Sequence, residues 1–355
     1  MDRGSGWAPA LLASWQRPRP DALARALQPL SWLYRALSGA HRALYRSGLR
    51  TGRHAPRPLV VVGNLVTGGA GKTPTVIAVV ELLRTLGYTP GVVSRGYGRR
   101  DDATRIVDAA SRADQVGDEP LLVHLRTRAP VAVAASRIEA ARALCRAHDR
   151  VDVLIADDGL QHLALARDAQ VIVFDERGAG NGLLLPAGPL REPLPRALPA
   201  RTLVLYNAPQ PSTALPGSLV GRSLAPVVEL SRWWQGDRGD PAGWQALRGR
   251  RLLACAGTAV PQRFFAMLQA QGLAFDAVAL PDHADYARLP WPDGTADVVL
   301  TEKDAVKIRP ERPGRTRVWV APLDFRLDDV VGQQLRRWLP PPTTAPRDPN
   351  GDLRP

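Results

Sequence analysis

The stretch VVVGNLVTGGAGKTPT, residues 60–75, runs from an apolar strand into a glycine-rich turn that ends in Gly71-Lys72-Thr73. A strand, a glycine turn and then a helix is the arrangement of a phosphate-binding loop. The strict pattern G-x-x-x-x-G-K-[ST] would have glycine at position 66, where this chain has Val66. The stretch therefore predicts a nucleotide site built on a variant of this loop.

The glycines of this loop suit it to hold a phosphate. Gly68, Gly69 and Gly71 permit positive φ and a close backbone approach, so successive N–H groups can point at an anion where the helix begins. Lys72 would reach the β- and γ-phosphates, and the Thr73 hydroxyl would coordinate Mg²⁺. An ordinary glycine turn before a helix is the alternative. The predicted nucleotide-binding residues are Thr67, Gly68, Gly69, Ala70, Gly71, Lys72, Thr73 and Pro74.

Two acids follow another apolar strand. The segment VDVLIADD, residues 151–158, ends in Asp157 and Asp158. A strand that brings a carboxylate beside a phosphate loop supplies the second half of a nucleotide site, because one acid can hold Mg²⁺ directly or through water. A polar turn after the strand is the alternative interpretation.

The rest of the pattern indicates an α/β protein. From residue 58, short β-branched strands alternate with helical stretches, which predicts a parallel sheet covered on both faces. A segment rich in Pro, Ser and Gly at 207–222 precedes a second, smaller α/β unit. The expected divisions are N-terminal helices at 1–57, a phosphate-loop domain at 58–206, a smaller domain at 207–339 and a disordered tail at 340–355.

Positive charge is concentrated near the N-terminus. The formal net charge is +13, and residues 1–57 contain ten arginines but only two acids. Leucines recur there near helical spacing with arginines between them, and Trp32 and Tyr34 add aromatic rings. The pattern predicts one or two basic amphipathic helices, bent at Pro29. They could dock on an anionic bilayer, or pack on their own domain with the arginines in solvent.

The composition argues against membrane-spanning, secreted and disulfide-stabilised proteins. Hydrophobic residues make up 45% of the chain and charged residues 23%, as in a soluble globular protein. No apolar run approaches the roughly 20 residues of a spanning helix, and the N-terminus lacks the pattern of a signal peptide. Cys145 and Cys255 alone cannot make a disulfide framework or a zinc site, so a reducing, cytosolic setting is expected.

Further polar stretches carry weaker signals. Asp118 and Glu119 in QVGDEPLLV could simply be acids that start a helix. His283 in PDHADY lies in a loop, where a lone histidine is usually inert. LTEKDAVKI, residues 300–308, could be a solvated helix start.

A stiff loop is the better binding candidate. GNGLLLPAGPLREP, residues 180–193, is restrained by its glycines and prolines and contains Asn181 and Arg191. Its spacing alone does not identify a ligand.

Taken together, these stretches resemble one family, the tetraacyldisaccharide 4'-kinases, which phosphorylate the lipid A precursor. The resemblance rests on VGNLVTGGAGKTP, VVSRGYGR, VGDEP, DDGLQH, GNGLLLPAGPLREP, ACAGTAVPQRF, PDHADY and LTEKDAVKI, in the family's order. The family's own loop also departs from the strict pattern at position 66. One departure is real: the family usually has A-G-I-G-x-P at 256–261, where this chain has Thr258 and Ala259.

The resemblance implies both a fold and a reaction. It implies two α/β/α sandwich units joined by a short β linker, the larger with a mostly parallel sheet and the phosphate loop. It implies MgATP as donor and the 4'-hydroxyl of a tetraacylated glucosamine disaccharide 1-phosphate as acceptor. It also implies peripheral attachment to the cytoplasmic face of the inner membrane. No nucleic acid and no obligate protein partner are expected.

The resemblance also implies roles for particular residues. Thr73 and Asp157 would hold Mg²⁺, with Asp158 close by as a further catalytic residue. Asp118 would act as the base when the acceptor proton leaves, supported by His283 from the other unit. The residues expected to bind the disaccharide are Asn181, Arg191 and Arg95.

Two other classes share part of the pattern. A MinD-like membrane ATPase has a K-G-G-x-G-K-T loop and a basic amphipathic segment. This chain has Thr67 in place of the first lysine and adds the acceptor-like loop at 181–193. A nucleic-acid-binding NTPase could use the net charge, but that charge lies near the N-terminus and no interleaved aromatic face is visible.

Overall fold

Two β-sheets, each covered by helices, and a two-stranded ribbon make up the computed structural model. The structure describes residues 7–282 and 284–343. His283, which the resemblance places in the catalytic site, lies outside these residues. So does most of the tail predicted to be disordered, residues 344–355.

Strands and helices alternate along most of the described chain. The strands are β1 Leu59–Gly63, β2 Pro90–Ser94, β3 Arg105–Val107, β4 Val131–Val133, β5 Val153–Asp157, β6 Ala169–Asp175, β7 Thr202–Asn207, β8 Ser218–Leu219, β9 Gly221–Leu224, β10 Val228–Glu229, β11 Leu252–Ala256, β12 Phe275–Ala279, β13 Asp297–Thr301, β14 Arg317–Ala321 and β15 Leu323–Arg326. The helices are α1 Trp7–Gln16, α2 Ala22–Arg46, α3 Lys72–Thr85, α4 Ala113–Val116, α5 Asp118–Thr127, α6 Arg137–Ala147, α7 Leu230–Trp234, α8 Gly243–Leu247, α9 Pro261–Ala270, α10 Glu302–Ala305 and α11 Asp329–Trp338.

The first sheet brings the phosphate loop and an acid together. Its strand order is β3-β4-β2-β5-β1-β6-β7-β8, and every pair is parallel except β3 with β4. All residues of β1 and β5 are buried, which is why both strands read as continuous apolar runs. The register pairs Val62 with Asp157. The loop after β1 and the Asp157 side chain therefore lie at the same carboxyl edge of the sheet.

A smaller sheet and a ribbon complete the predicted α/β architecture. The second sheet has the order β10-β14-β13-β11-β12 and is parallel except at β10. Strands β9 and β15 pair antiparallel as a ribbon, with Leu224 opposite Leu323. The chain enters the smaller unit after β9 and leaves it before β15. This ribbon is the short β linker that the resemblance implies.

The larger unit contains segments that precede the smaller unit in the sequence and segments that follow it. The first sheet continues beyond residue 206, since β8 pairs with β7. Helix α11 returns to the larger unit, where a Cβ on Gly332 would lie 3.3 Å from the Leu82 side chain of α3. The Tyr88 hydroxyl donates to the carbonyl of Pro340 at 2.7 Å. The proposed division of the chain at 206 thus separates strands of one sheet.

Two N-terminal helices precede the first sheet. Asp21 links them, because its carboxylate accepts from the Ser14 hydroxyl at 2.7 Å and from the Ala24 amide at 2.9 Å. Helix α2 continues through Pro29, the position at which the sequence predicts a bend. Within the described residues, no helix combines the length and apolar character needed to cross a bilayer.

Candidate active site

The phosphate loop has the backbone that its glycines predict. Gly68 has φ of 101° and Gly71 has φ of 91°, both in the left-handed region. A Cβ on Gly71 would lie 2.6 Å from Nδ2 of Asn207, so a side chain at this position would meet both strain and a clash. Helix α3 starts at the next residue, Lys72.

Three side chains bind carbonyl groups of the loop. Asn64, fully buried after β1, donates to the Gly68 carbonyl at 3.1 Å. Asn207 at the end of β7 donates to the Ala70 carbonyl at 3.4 Å, and Arg177 after β6 donates to the Gly69 carbonyl at 3.2 Å. Because these carbonyls are engaged, the loop can present its amides to an anion.

Lys72 and Thr73 occupy the first turn of α3. The Lys72 ammonium donates to Oδ1 of Asn64 at 3.4 Å, which keeps the side chain beside the loop. Thr73 is buried, with 8% of its surface exposed. Thr67 is tied to the acceptor-like loop, since its amide donates to the Pro189 carbonyl at 2.8 Å.

Asp157 is a buried acid with an unsatisfied oxygen. Only 2% of its surface is exposed, and Oδ1 has no hydrogen-bond partner among the described residues. Burial, followed by the nearby charge of Glu119, raises the pKa of Asp157 to about 7, although the Lys72 charge opposes this. Such an oxygen can be satisfied by a bound cation.

The site fits Mg²⁺ held together with a nucleotide. Across the described ranges, no cluster of three His, Cys, Asp or Glu side chains could hold a metal ion by itself. Mg²⁺ usually binds through one or two carboxylates together with substrate phosphates and water. The Asp157 oxygen and the Thr73 hydroxyl beside the loop match that donor set.

Asp158 and Arg191 lie together. The Nη1 atom of Arg191 donates to both carboxylate oxygens of Asp158, at 3.0 and 3.2 Å, and to Oε1 of Gln161 at 3.2 Å. Asp158 has φ of 48°. The buried Arg137 also binds this turn. Its Nη2 donates to the Asp158 carbonyl at 2.6 Å and to the Asp157 carbonyl at 3.1 Å.

Arg95 is exposed after β2, and its charge acts on Arg137. It therefore lies near the turn that carries the two acids, as the resemblance implies for a substrate-binding residue. The role itself stays a prediction.

Asn181 supports its own loop. Its Nδ2 donates to the Ala187 carbonyl at 2.9 Å, and its Oδ1 accepts from the Leu183 amide at 3.1 Å. A Cβ on Gly188 would lie 2.2 Å from that same oxygen, so the turn closes tightly around the amide. These bonds shape the loop, while contact of Asn181 with a disaccharide stays a prediction.

The N-terminal helices bind this acceptor-like loop. The Trp15 indole donates to the Pro186 carbonyl at 2.9 Å, and the buried Ser31 hydroxyl donates to the Leu184 carbonyl at 2.9 Å. The Tyr34 hydroxyl donates to the Arg191 carbonyl at 2.7 Å. Helices α1 and α2 are thereby fixed to the loop that contains Arg191.

A cleft between the two units opens onto the phosphate loop. Its cavity measures about 220 Å³ and is lined by Lys72, Thr73 and Glu119 on one side and by Thr258, Arg263 and Lys303 on the other. Apolar side chains from both units complete the walls. Those side chains include Ile77, Phe264, Met267 and Leu323.

The departure at 258–259 faces this cleft. Thr258 and Ala259 both line it, and a Cβ on Gly69 would lie 3.7 Å from the Ala259 side chain. Arg263 of α9, which also lines the cleft, pairs with Glu176 directly after β6 at 2.7 Å.

Asp118 lies at another contact between the units. It is the first residue of α5, is 8% exposed and accepts from the Glu119 amide at 3.0 Å. The ammonium of Lys307, from the smaller unit, is 3.8 Å from Oδ2 of Asp118.

Several residues of the site were not identified from the sequence. Asn207 is the last residue of the apolar strand β7, so the strand end could have indicated it. Glu119 is the second residue of α5, where only the GDEP motif could have indicated it. Arg177 and Arg137 lie in segments without a motif, and nothing in the sequence pairs either with its partner.

The fold and the site define a class of protein. A glycine loop between a strand and a helix, with a buried acid on the adjacent parallel strand, is the core of a phosphate-loop nucleotide-binding enzyme. The loop and the start of α3 line the cleft between the two units.

Comparison with known proteins gives the family. The family model for tetraacyldisaccharide-1-P 4'-kinase matches residues 23–340. A tetraacyldisaccharide 4'-kinase of Methylibium petroleiphilum is 56% identical over 339 residues, covering 93% of each chain. A tetraacyldisaccharide 4'-kinase of Leptothrix cholodnii is 52% identical over 343 residues, covering 95% of this chain and 98% of the relative. The chain belongs to the tetraacyldisaccharide-1-P 4'-kinase family and is a kinase, which confirms the resemblance of its motifs.

A solved structure shares the fold. The "apo" form of LpxK from Aquifex aeolicus, crystallised in complex with ATP, superposes with a TM-score of 0.73 at 24% sequence identity. The match covers 89% of this chain and 99% of that chain. The α/β fold is therefore shared with that protein.

Proposed function

We propose that this kinase transfers the γ-phosphoryl group of ATP to the 4'-hydroxyl of a tetraacyldisaccharide 1-phosphate, the lipid A precursor. The 4'-oxygen attacks the γ-phosphorus in line, the bond to the β–γ bridging oxygen breaks, and ADP leaves. The observation that carries the proposal is the phosphate loop beside Asp157 in a chain of this family.

The donor side is formed by the loop and the start of α3. The loop amides and Lys72 would hold the triphosphate in the cleft, since positioning and electrostatics supply most of the catalysis in phosphoryl transfer. Thr73 and Asp157 would hold Mg²⁺, which when bound neutralises charge on the phosphate oxygens. The orphaned Oδ1 of Asp157 supports this assignment.

Asp118 is the proposed base. A sugar hydroxyl has a very high pKa, so a carboxylate helps mainly by accepting the proton as the new bond forms. The burial of Asp118 beside a cation of the smaller unit supports the role. On the family's pattern His283 would assist Asp118, and closure of the units on the nucleotide would exclude water.

The acceptor side centres on Arg191 and Arg95. A guanidinium can bind a phosphate through two parallel hydrogen bonds. Arg191, in the acceptor-like loop, already donates to the Asp158 carboxylate. Asp158 would then orient Arg191 toward the disaccharide. Asn181 would act through the shape of the loop that carries Arg191.

The N-terminal helices are proposed to rest on an anionic membrane surface at the cytoplasmic face of the inner membrane. Helix α2 exposes a row of large apolar side chains, since Leu30, Trp32, Leu33 and Leu37 are each more than half exposed. Arginines flank this row, which suits an interface rich in anionic head groups. The bonds from α2 to the loop around Arg191 would place that loop beside its lipid acceptor.

The direct test is incubation of purified protein with γ-labelled ATP, Mg²⁺ and the tetraacyl disaccharide 1-phosphate in detergent. Label should appear at the 4'-position of the lipid. Folded protein that gives no labelled lipid would overturn the proposal.

The role of Asp118 has its own expected result. Asp118→Asn should lower kcat about 100-fold while the KM for ATP changes less than about threefold, because a base acts only as the proton moves. Asp276→Asn, an exposed acid in β12, is the control and should leave both constants unchanged. Equal losses in kcat and in ATP affinity would instead place Asp118 in the nucleotide site.

A further inference from the structure

The segment 301–307 connects the second sheet to the larger unit through buried charges. Glu302 and Asp304 are 5% and 0% exposed, so this is not the solvated helix start that the sequence allows. Glu302 accepts from the Trp233 indole at 3.1 Å and from the Leu323 amide at 3.0 Å. The side chains that a polar turn would leave in water are therefore fixed inside the protein.

Asp304 anchors the segment to the loop after β11. Its Oδ2 accepts from the Gly257 amide at 2.9 Å and from the Thr301 hydroxyl at 2.6 Å. A Cβ on Gly257 would lie 2.7 Å from Oδ1 of Asp304, so the approach is close. The carboxylate thus has a fixed position one turn away from Lys307.

Lys307 joins this anchor to Asp118. Its ammonium donates to the Ala284 carbonyl at 2.9 Å and lies 4.0 Å from Oδ1 of Asp304. It lies 3.8 Å from Oδ2 of Asp118 and 5.8 Å from the centre of the Tyr286 ring. Only 8% of the Lys307 side chain is exposed. One buried cation of the smaller unit therefore faces a carboxylate from each unit.

We propose that Lys307 is a positioning residue for phosphoryl transfer, because its ammonium, fixed by Asp304 and the Ala284 carbonyl, holds Asp118 as a carboxylate across the contact between the units. The inference rests on the proposed role of Asp118 as the base. It assigns the LTEKDAVKI motif a function in the reaction, in addition to its packing.

The charges in this region explain why the ammonium is needed. Taking a carboxylate out of water disfavours its charged form unless an opposite charge is close. Among the described residues, the charges of Asp304, Asp118, Lys303 and Asp282 act on the ammonium, and the Tyr286 ring lies beside it. Loss of Lys307 would remove a positive charge that lies 3.8 Å from the Asp118 carboxylate.

The contact also links the base to the position of the smaller unit. Helix α5 meets that unit at both ends, since Asp118 at its start faces Lys307 and Arg126 in its last turn faces Glu302 at 3.5 Å. Asp118 therefore has its counter-charge when the two units are in contact.

The test compares Lys307→Met with Lys307→Arg in the full-length protein. Lys307→Met should lower kcat up to about tenfold on the acid limb of the pH profile and change the KM for ATP less than about threefold, since the residue acts on the base and not on the nucleotide. The acid limb of the kcat–pH profile should move to higher pH by about one unit, because a carboxylate that loses a neighbouring cation keeps its proton longer. Lys307→Arg should restore most of kcat and return the acid limb.

A matched control separates positioning from simple attachment of the units. Arg309 also crosses between them, since its guanidinium donates to the Ala110 carbonyl at 2.7 Å and the Ser111 carbonyl at 2.9 Å. Arg309→Met should leave the pH profile in place. If Lys307→Met does not fold, Lys307→Gln carries the same measurement.

The outcomes for the base and for the lysine are distinguishable. Unchanged kcat in Asp118→Asn would remove the proposed base, whatever Lys307 does. A large loss in Asp118→Asn, together with an unmoved acid limb and unchanged kcat in Lys307→Met, would overturn only the inference about Lys307. Adding Lys307→Met to Asp118→Asn should cost no further activity, because the lysine acts through the carboxylate.

Discussion

Asp157 shows at the residue scale how a site built for a cation weakens the empty protein. Its pKa is raised to about 7, chiefly because burial disfavours the charged form. The protonated acid is compatible with folding, so stability is fullest below the unfolded pKa and is lost as the pH rises through about 7. The protein loses stability at neutral pH because Asp157 is buried with one carboxylate oxygen left without a partner. A bound cation can take up that oxygen.

Asp157→Asn should therefore stabilise the Mg²⁺-free protein, and more so at high pH. The gain in free energy of unfolding should grow by about 2 kcal/mol between pH 5 and pH 8, because the amide never has to ionise. Urea denaturation in EDTA at the two pH values measures this. Asp276→Asn, an exposed control, should show no such trend. A gain that is equal at both pH values would mean that Asp157 ionises without penalty.

Individual site residues were predictable where the backbone demanded them. Gly68 and Gly71 have the positive φ that a phosphate loop needs, and Asp157 ends its strand as the apolar pattern indicates. The partners of these residues were not predictable. Asn207 contacts Ala70 across 137 positions of sequence, and no local pattern encodes a contact of that range.

At the scale of elements, the strands and helices around the loop followed from periodicity, whereas the short ones did not. Strands β1 and β5 are buried along their whole length, so their apolar runs are unambiguous. Strand β3 has three residues and lies at a sheet edge, which is too short to show a period. Helix α2 was predicted from its leucines, but its hydrogen bonds to the loop at 184–191 depend on the tertiary fold.

The exposed row on α2 leads to a test of membrane docking. Leu33→Asp combined with Leu37→Asp should reduce binding to vesicles that contain anionic lipid by about tenfold or more, because two apolar side chains would no longer enter the interface. The two leucines are 57% and 65% exposed, so the fold should be retained. Vesicle sedimentation measures the binding.

Val330→Asp is the control for that double variant. Val330 is 50% exposed but lies on α11 instead of on an N-terminal helix. It should bind vesicles like the unaltered protein. Unchanged binding by the α2 variant would show that another surface holds the membrane.

At the scale of the whole molecule, buried and exposed ion pairs between the units are expected to contribute differently to stability. Arg126, 15% exposed, pairs with the buried Glu302 and with Asp324 of the ribbon. Burial raises the pKa of Glu302, and the charge of Arg126 is the main factor that opposes this rise. Arg238 and Glu81 form a more exposed pair at 3.5 Å.

Arg126→Met should therefore destabilise the protein by about 3 kcal/mol at pH 8, because a buried carboxylate loses its counter-charge. The loss should shrink at pH 5, where Glu302 can take up a proton instead. Arg238→Met should change stability by less than about 0.5 kcal/mol. Urea denaturation measures both, and Glu302→Gln added to Arg126→Met should recover part of the loss. Equal effects of the two arginine variants would contradict this distinction.

Helix α11 packs on α3 although some 240 residues of chain separate them. A protein emerging from the ribosome therefore cannot finish its first unit when that unit's strands have been made. The face of α3 that α11 covers remains exposed until the smaller unit and α11 itself have been synthesised. During synthesis this face is the surface for a chaperone to shield, and a stop codon placed before residue 329 would leave it uncovered in the released chain.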